Sequence, residues 1–300
     1  MPPLPSESDL QHGWHPGGGT SVYGILGFPV RHSLSPWLHR LFAAQQGLDL
    51  VYVPFPVREE DIAVALAGLP ALGIRGVNVT VPHKEAVLPL MQRLSAEARA
   101  IGAVNTVCFT PSGMEGHNTD APGFLRALER ATGDGWRQHP ATVIGAGGAA
   151  RAIVYALGHA GCPAIYLANR HLPRAEVLAA QFPGLPVHPI PLGRAALSAV
   201  LPSSVLLVNT STRGLHGEDH PELDLARMPE NGSVYDIVYN PLETPLLQAA
   251  RQAGLGAADG LGMLVEQGAE SFRIWTGTLP QTAAVEGILR RWLQTRNTSR

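Results

Sequence analysis

One residue among the 300 stands apart for the chemistry open to it. Of the 22 basic residues, 21 are arginine and one, Lys84, is lysine. Arginine keeps its proton in a protein, whereas a lysine ammonium can be tuned to give one up or take one back. Lys84 closes the stretch Asn78-Val79-Thr80-Val81-Pro82-His83-Lys84, a strand end with alternating polar side chains. Other blocks supply hydroxyl, amide and carboxylate groups. His32-Ser33-Leu34-Ser35-Pro36 sets two hydroxyls ahead of an expected helix. There they can cap the helix or, with its first N–H groups, hold a carboxylate. Asn105, in Ile101–Val107, adds an amide, and Asn118-Thr119-Asp120 adds a carboxylate. Asn and Asp also form ordinary turns, but with one lysine and two serines they describe a pocket for a small polyhydroxylated acid.

A second constellation lies downstream. Residues 141–151 read ATVIGAGGAAR, a short apolar strand running into Gly145, Ala146, Gly147, Gly148, Ala149, Ala150 and Arg151 and then a helix. This G-x-G-x-x-G/A pattern lets the backbone approach a pyrophosphate at a helix N-terminus. An NAD site would carry Asp or Glu at the end of the next strand for the ribose hydroxyl. Here that strand ends in Asn169-Arg170, with Arg174 one turn on. Two guanidiniums suit a 2′-phosphate, so the expected cofactor is NADP(H).

These residues need a scaffold of alternating strands and helices. Apolar runs bounded by Gly or Pro predict strands at Val22–Gly27, Leu50–Phe55, Gly76–Val81, Ala141–Gly145, Ala164–Ala168, Ser204–Val208 and Val234–Val238. Helical patterns fall at Pro36–Gln46, Glu59–Leu72, Ala149–Ala160, Pro173–Phe182 and Pro245–Ala253. Two more helices follow Leu261, broken at Gly277–Pro280. Such alternation predicts parallel α/β sheets in two domains, joined near Asp120–Gly123 with a cleft between them. A net charge of −2 gives no footprint for nucleic acid or anionic membrane. No apolar run approaches the ~18 residues of a spanning helix. The first twenty residues lack the basic start and apolar core of a secretory signal, and are expected to be a disordered leader. Cys108 and Cys162 fit neither a disulfide framework nor a zinc site, and no metal is expected. A cytoplasmic protein is the expectation.

Eight ordered blocks resemble the shikimate dehydrogenase family. They are GFPVRHSLSP, NVTVPHK, IGAVNTV, NTDAPGF, GAGGAAR, NR-x-x-x-R, D-x-x-Y-N-P-x-x-T and DGLGMLVEQGAESF, spanning Val22 to about Trp292. The resemblance implies NADP-dependent reduction of 3-dehydroshikimate to shikimate, on the route to aromatic amino acids. It implies a substrate-binding catalytic domain of residues 21–121 and 259–300, completed by the C-terminal helices. An inserted Rossmann-like NADP-binding domain covers 122–258, and the active site lies between the two. Ser33 and Ser35 match the hydroxyls holding the substrate carboxylate, and Lys84 and Asp120 the pair at the reacting centre. Asn78, Thr80, Asn105, Tyr239 and Gln267 match substrate-contacting positions. Gly145 to Arg151 match the pyrophosphate turn, Asn169, Arg170 and Arg174 the 2′-phosphate clamp, and Ile237 and Gly260 further cofactor positions. His171 stands where the family usually has a hydroxyl residue, which weakens the expected preference for NADP. Lys84 as ammonium can donate to a developing alkoxide while Asp120 orients it; a close pair titrates together, so the ground-state proton holder stays open. The expected partner is a small-molecule substrate, with no nucleic acid or membrane, in a monomer or homodimer. The rivals are a quinate-type paralogue and a non-catalytic NADP-binding regulator of the same fold; the latter would be expected to lose Lys84 and Asp120.

Overall fold

The computed structural model describes residues 15–297, which form two compact units. One takes the chain up to Thr119 with Val265–Leu289; the other takes Asp120–Leu264 and the chain from Arg290. Of the expected leader, residues 1–14 lie outside the described residues, while the Thr20 hydroxyl donates to the Asp49 carboxylate at 3.0 Å.

The first unit contains β1 (Ser21–Gly27), α1 (Ser35–Gln46), β2 (Leu50–Pro56), α2 (Ile62–Gly68), β3 (Ile74–Val79), β4 (Arg93–Leu94), α3 (Ala96–Ile101), β5 (Thr106–Thr110) and β6 (Gly113–His117). Its sheet order is β2-β1-β3-β5-β6-β4. β1 runs parallel to β2 and β3, as crossover connections require. The expectation of a purely parallel sheet fails beyond β3, because β5 is antiparallel to both β3 and β6. For β5 and β6 the cause is a tight hairpin: Gly113 takes φ +115° and the Thr110 hydroxyl donates to its carbonyl at 2.9 Å. So short a connection cannot carry a crossover. Leu26, Leu66, Val77, Val79, Val104 and Val107 share the core on one side of this sheet.

The second unit runs α4 (Asp120–Thr132), β7 (Ala141–Ile144), α5 (Gly148–His159), β8 (Ile165–Asn169), α6 (Leu172–Ala180), β9 (Val187–Pro191), α7 (Arg194–Val200), β10 (Leu206–Asn209), β11 (Ser233–Asp236), α8 (Pro245–Gln252) and β12 (Gly256–Ala258). All its strands are parallel, in the order β12-β11-β10-β7-β8-β9. The order reverses between β7 and β10, the switch point of a doubly wound dinucleotide fold. The central strands β7 and β10 are buried at every position, which explains why they read as unbroken apolar runs.

The chain ends in α9 (Leu261–Thr276) and α10 (Thr282–Asn297). The first limit falls at Thr119/Asp120, and the later ones fall inside these two helices, at Val265 and Arg290. Arg290 grips Asp259 with two guanidinium nitrogens, at 2.5 and 3.1 Å. Among the described residues, no helix is long and apolar enough to cross a membrane.

Candidate functional site

In the first unit, Lys84 sits in the loop after β3, which is pinned on both sides. His83 is fully buried, with Nε2 2.7 Å from the Val57 carbonyl oxygen. The His83 N–H donates to Thr80 O at 2.9 Å, and the Val104 N–H donates to Lys84 O at 2.8 Å. The lysine backbone is thereby held beside Asn105 while its side chain stays half-exposed. Ser33 Oγ accepts the Ser35 N–H at 3.2 Å, so part of the capping role is realised. Ser35 opens α1 and is buried. Ser33 and Thr80 are half-buried at element ends.

The amides converge more tightly than sequence spacing suggests. Asn78 Oδ1 accepts the Tyr52 hydroxyl at 2.8 Å. Its Nδ2 donates to Ser271 Oγ at 2.8 Å and to Asn105 O and Thr106 Oγ1 at 3.1 Å. Asn78 thus spends both ends of its amide on protein. Asn105 Oδ1 accepts the Thr119 N–H at 2.8 Å, and its Nδ2 donates to Thr119 Oγ1 at 2.9 Å and Gln267 Oε1 at 3.3 Å. Thr106, Thr119 and Ser271, which the sequence analysis gives no role of their own, complete this network; the available signal was Ser271 standing one turn beyond Gln267 on α9. His39, one turn after Ser35, was missed as well. Its ring stacks on Tyr52 at 4.2 Å and 4°. Burial pushes its pKa down to about 3, against the opposing pull of the Asn78 amide, so the ring stays neutral.

In the second unit, Asp120 follows Thr119 directly and opens α4 as a buried residue. Gly145 leaves β7 with φ +107°, and a Cβ there would lie 2.6 Å from Thr210 Oγ1. Ala146 follows, half-buried. Around Gly147, the N-cap of α5, a Cβ would meet nothing within 4 Å. No acidic residue occupies the first turn of α5 and no side chain caps it. The N–H groups of Gly148, Ala149 and Ala150 therefore belong to a helix start suited to an anion. Arg151 is directed elsewhere: it is buried, with its guanidinium on the Gln181 side chain. Asn169 ends β8 and donates to His171 O at 2.8 Å, while Arg170 and Arg174 are exposed.

Two loops at the carboxyl end of the same sheet are tied by Asp236. Its carboxylate accepts from the Thr244 hydroxyl at 2.8 Å, Asn209 Nδ2 at 2.9 Å and the Val238 N–H at 3.1 Å. Burial nevertheless lifts its pKa to about 6. This carboxylate braces the segment carrying Ile237 and Tyr239. A Cβ at Gly260 would run into the Ile237 backbone, which gives both residues a shared packing reason. The open face at Gly147 and the two exposed arginines fit a dinucleotide with an extra phosphate. Among the described residues, no group of three or more His, Cys, Asp or Glu could hold a metal ion.

Residues 25–107 match the family model described as the shikimate dehydrogenase substrate binding domain, and 127–214 match shikimate/quinate 5-dehydrogenase. Residues 260–290 match the shikimate 5'-dehydrogenase C-terminal domain. The chain is 45% identical over 282 residues to the shikimate dehydrogenase (NADP(+)) of Geobacter sp. strain M21, covering 93% of this chain and 97% of that protein. The chain belongs to the shikimate dehydrogenase family. Solved shikimate dehydrogenases share its architecture. That of Aquifex aeolicus superposes with a TM-score of 0.84 at 37% identity, covering 92% of this chain and all of that one. That of Thermus thermophilus, solved with NADP(H) and shikimate, gives 0.79 at 40% identity over 91% of this chain and 99% of its own.

Proposed function

We propose that this chain catalyses the reversible NADPH-dependent reduction of 3-dehydroshikimate to shikimate, a step of aromatic amino acid biosynthesis. The observation that carries the reading is Lys84, the chain's one lysine, on a loop pinned by Val104 and His83 beside Asn105. When bound, NADPH supplies the hydride. Lys84 as ammonium donates a proton to the oxygen that becomes a hydroxyl, and Asp120 orients and stabilises it. The two handle that proton as a pair. Ser33 and Ser35 receive the substrate carboxylate, and Thr80, Asn105, Tyr239 and Gln267 receive the ring oxygens, with Asn78 behind them. The turn from Gly145 to Ala150 holds the pyrophosphate, Asn169, Arg170 and Arg174 the 2′-phosphate, and Ile237 and Gly260 border the cofactor. Arg151 braces the turn through Gln181.

We assign the substrate role to 21–121 with 259–300 and the cofactor role to 122–258. A cytoplasmic location and a monomeric or homodimeric state complete the proposal and rest on the family. Absorbance assays of the purified protein, with shikimate or quinate and NADP+ or NAD+, test it. Shikimate with NADP+ is expected to be turned over most efficiently. Quinate with NAD+ as the best pair would move the chain to the quinate reading, and no turnover of either acid would favour a regulator.

A further inference from the structure

Two side chains at the carboxyl end of the second sheet have no part in the proposed reaction, yet their hydrogen bonds all go to shaping loops. Asn209 and Asp236 are the last residues of β10 and β11, stand opposite each other in the parallel register and are fully buried. Asn209 Oδ1 accepts the Ser211 N–H at 3.1 Å and the Ser211 hydroxyl at 2.7 Å. Its Nδ2 donates to Arg213 O at 3.1 Å and to Asp236 Oδ1 at 2.9 Å. The amide thus curls the loop after β10 back on itself and ties it to the carboxylate. Asp236 Oδ1 also accepts the Val238 N–H at 3.1 Å, and Oδ2 accepts the Thr244 hydroxyl at 2.8 Å. Thr244 in turn caps α8, its hydroxyl oxygen taking the Leu247 N–H at 3.3 Å. Backbone bonds reinforce the tie: the Ile237 N–H donates to Asn209 O at 3.1 Å, and the Thr210 N–H to Ile144 O at 2.8 Å. Gly214, at φ +99°, closes the first loop against Thr244, whose side chain a Cβ there would meet at 3.3 Å.

The place of these loops decides what they can serve. A dinucleotide lies across the point where strand order reverses, here between β7 and β10. The turn after β7 is assigned the pyrophosphate and the arginines after β8 the 2′-phosphate, so the adenosine half lies toward β8. The half that carries the nicotinamide therefore falls on the side of β10 and β11. We propose that Asp236 is a positioning residue that acts through Asn209: the pair sets the loops after β10 and β11 to receive the nicotinamide half of NADP(H), independently of the adenosine half. The inference rests on the reading of this unit as the dinucleotide site.

The test uses the full chain and the variants Asp236→Ala, Asn209→Ala and Asp236→Asn, with thermal melting and with dissociation constants for NADPH and for adenosine 2′,5′-bisphosphate, which represents the adenosine half alone. Asp236→Ala is expected to weaken NADPH binding about tenfold, the scale of one buried hydrogen bond left unmade, while the bisphosphate binds as it does to wild type. Asn209→Ala, which cuts the same tie from the other end, is expected to show the same split and carries the test should Asp236→Ala not fold. Asp236→Asn keeps an oxygen for Asn209 Nδ2 and the Val238 N–H and can turn its NH2 toward Thr244 Oγ1, so most of the NADPH affinity should return. Equal weakening of NADPH and the bisphosphate in both alanine variants would mark a general loss of structure and overturn the positioning role. Unchanged NADPH binding in both overturns it too, as does an Asp236→Asn as weak as Asp236→Ala. A wild-type chain that fails to bind the bisphosphate would mean that the dinucleotide reading had failed, and the inference with it.

Discussion

A guanidinium at position 84 would keep the charge of Lys84 and lose its ability to part with a proton. Lys84→Arg is therefore expected to lower kcat nearly as far as Lys84→Ala, by ~10²–10⁴, with shikimate KM moved much less. Steady-state kinetics of the two variants check this, and near-normal turnover in the arginine form would remove the proton role. At the other site, Arg170→Ala/Arg174→Ala is expected to cost most of the preference for NADP+ over NAD+, on the order of 10²-fold for two charge-assisted hydrogen bonds before solvent screening. A constant ratio of the two kcat/KM values would place the clamp elsewhere, with His171 next to be replaced. Lys84 and the arginines could be picked out by residue type alone. Ser271, Tyr52 and His39 could not, because their roles exist only through partners remote in the chain: Asn78 and Ser271 are 193 positions apart.

The glycine-rich turn separates into positions that serve the fold and one that serves a ligand. Gly145 needs its positive φ and would press a Cβ against Thr210, whereas Gly147 has extended backbone and empty space before it. Gly147→Ala is thus expected to melt close to wild type while binding NADPH at least tenfold more weakly, since the methyl would fill the approach to the first N–H groups of α5. Gly145→Ala should instead lower the melting temperature. Calorimetric unfolding and NADPH titration separate the two; unaltered NADPH binding by Gly147→Ala would show that the turn has no ligand. The strands of the second unit were legible because burial on both faces makes them continuous apolar words, as in Leu206-Leu207-Val208. Strand β9, with Pro189 and Pro191, lies at the sheet edge and gave no such signal. The β5–β6 hairpin was hidden by Gly113 and Gly116, which interrupt the alternation expected of a two-faced strand.

Acid stability belongs to the molecule as a whole, and two buried groups pull it in opposite directions. His39 titrates at about 3 in the fold against 6.5 ordinarily, so between those values the unfolded chain binds more protons and stability falls as pH falls. Asp236, lifted from 3.8 to about 6, is protonated in the fold first, and its contribution is lost as pH rises through that window. His39→Phe keeps a planar ring beside Tyr52 and removes only the first slope. The melting temperature of His39→Phe relative to wild type is therefore expected to rise as pH drops from neutral toward 4, Asp236 being common to both. A difference independent of pH would mean that His39 is not held neutral. The discontinuity of the first unit has a consequence for how the chain is made. Its sheet is complete once Thr119 has been synthesised, yet Ser271, which receives the Asn78 amide, and Trp275, whose indole N–H donates to Val107 O at 3.0 Å, arrive only with the stretch from Val265. At ~5–20 residues per second, a ribosome needs roughly 7–30 s to traverse the segment between. Through that interval the nascent chain carries a finished sheet whose buried amides still face water, while the intervening dinucleotide unit, nearly all of it contiguous, is free to close first.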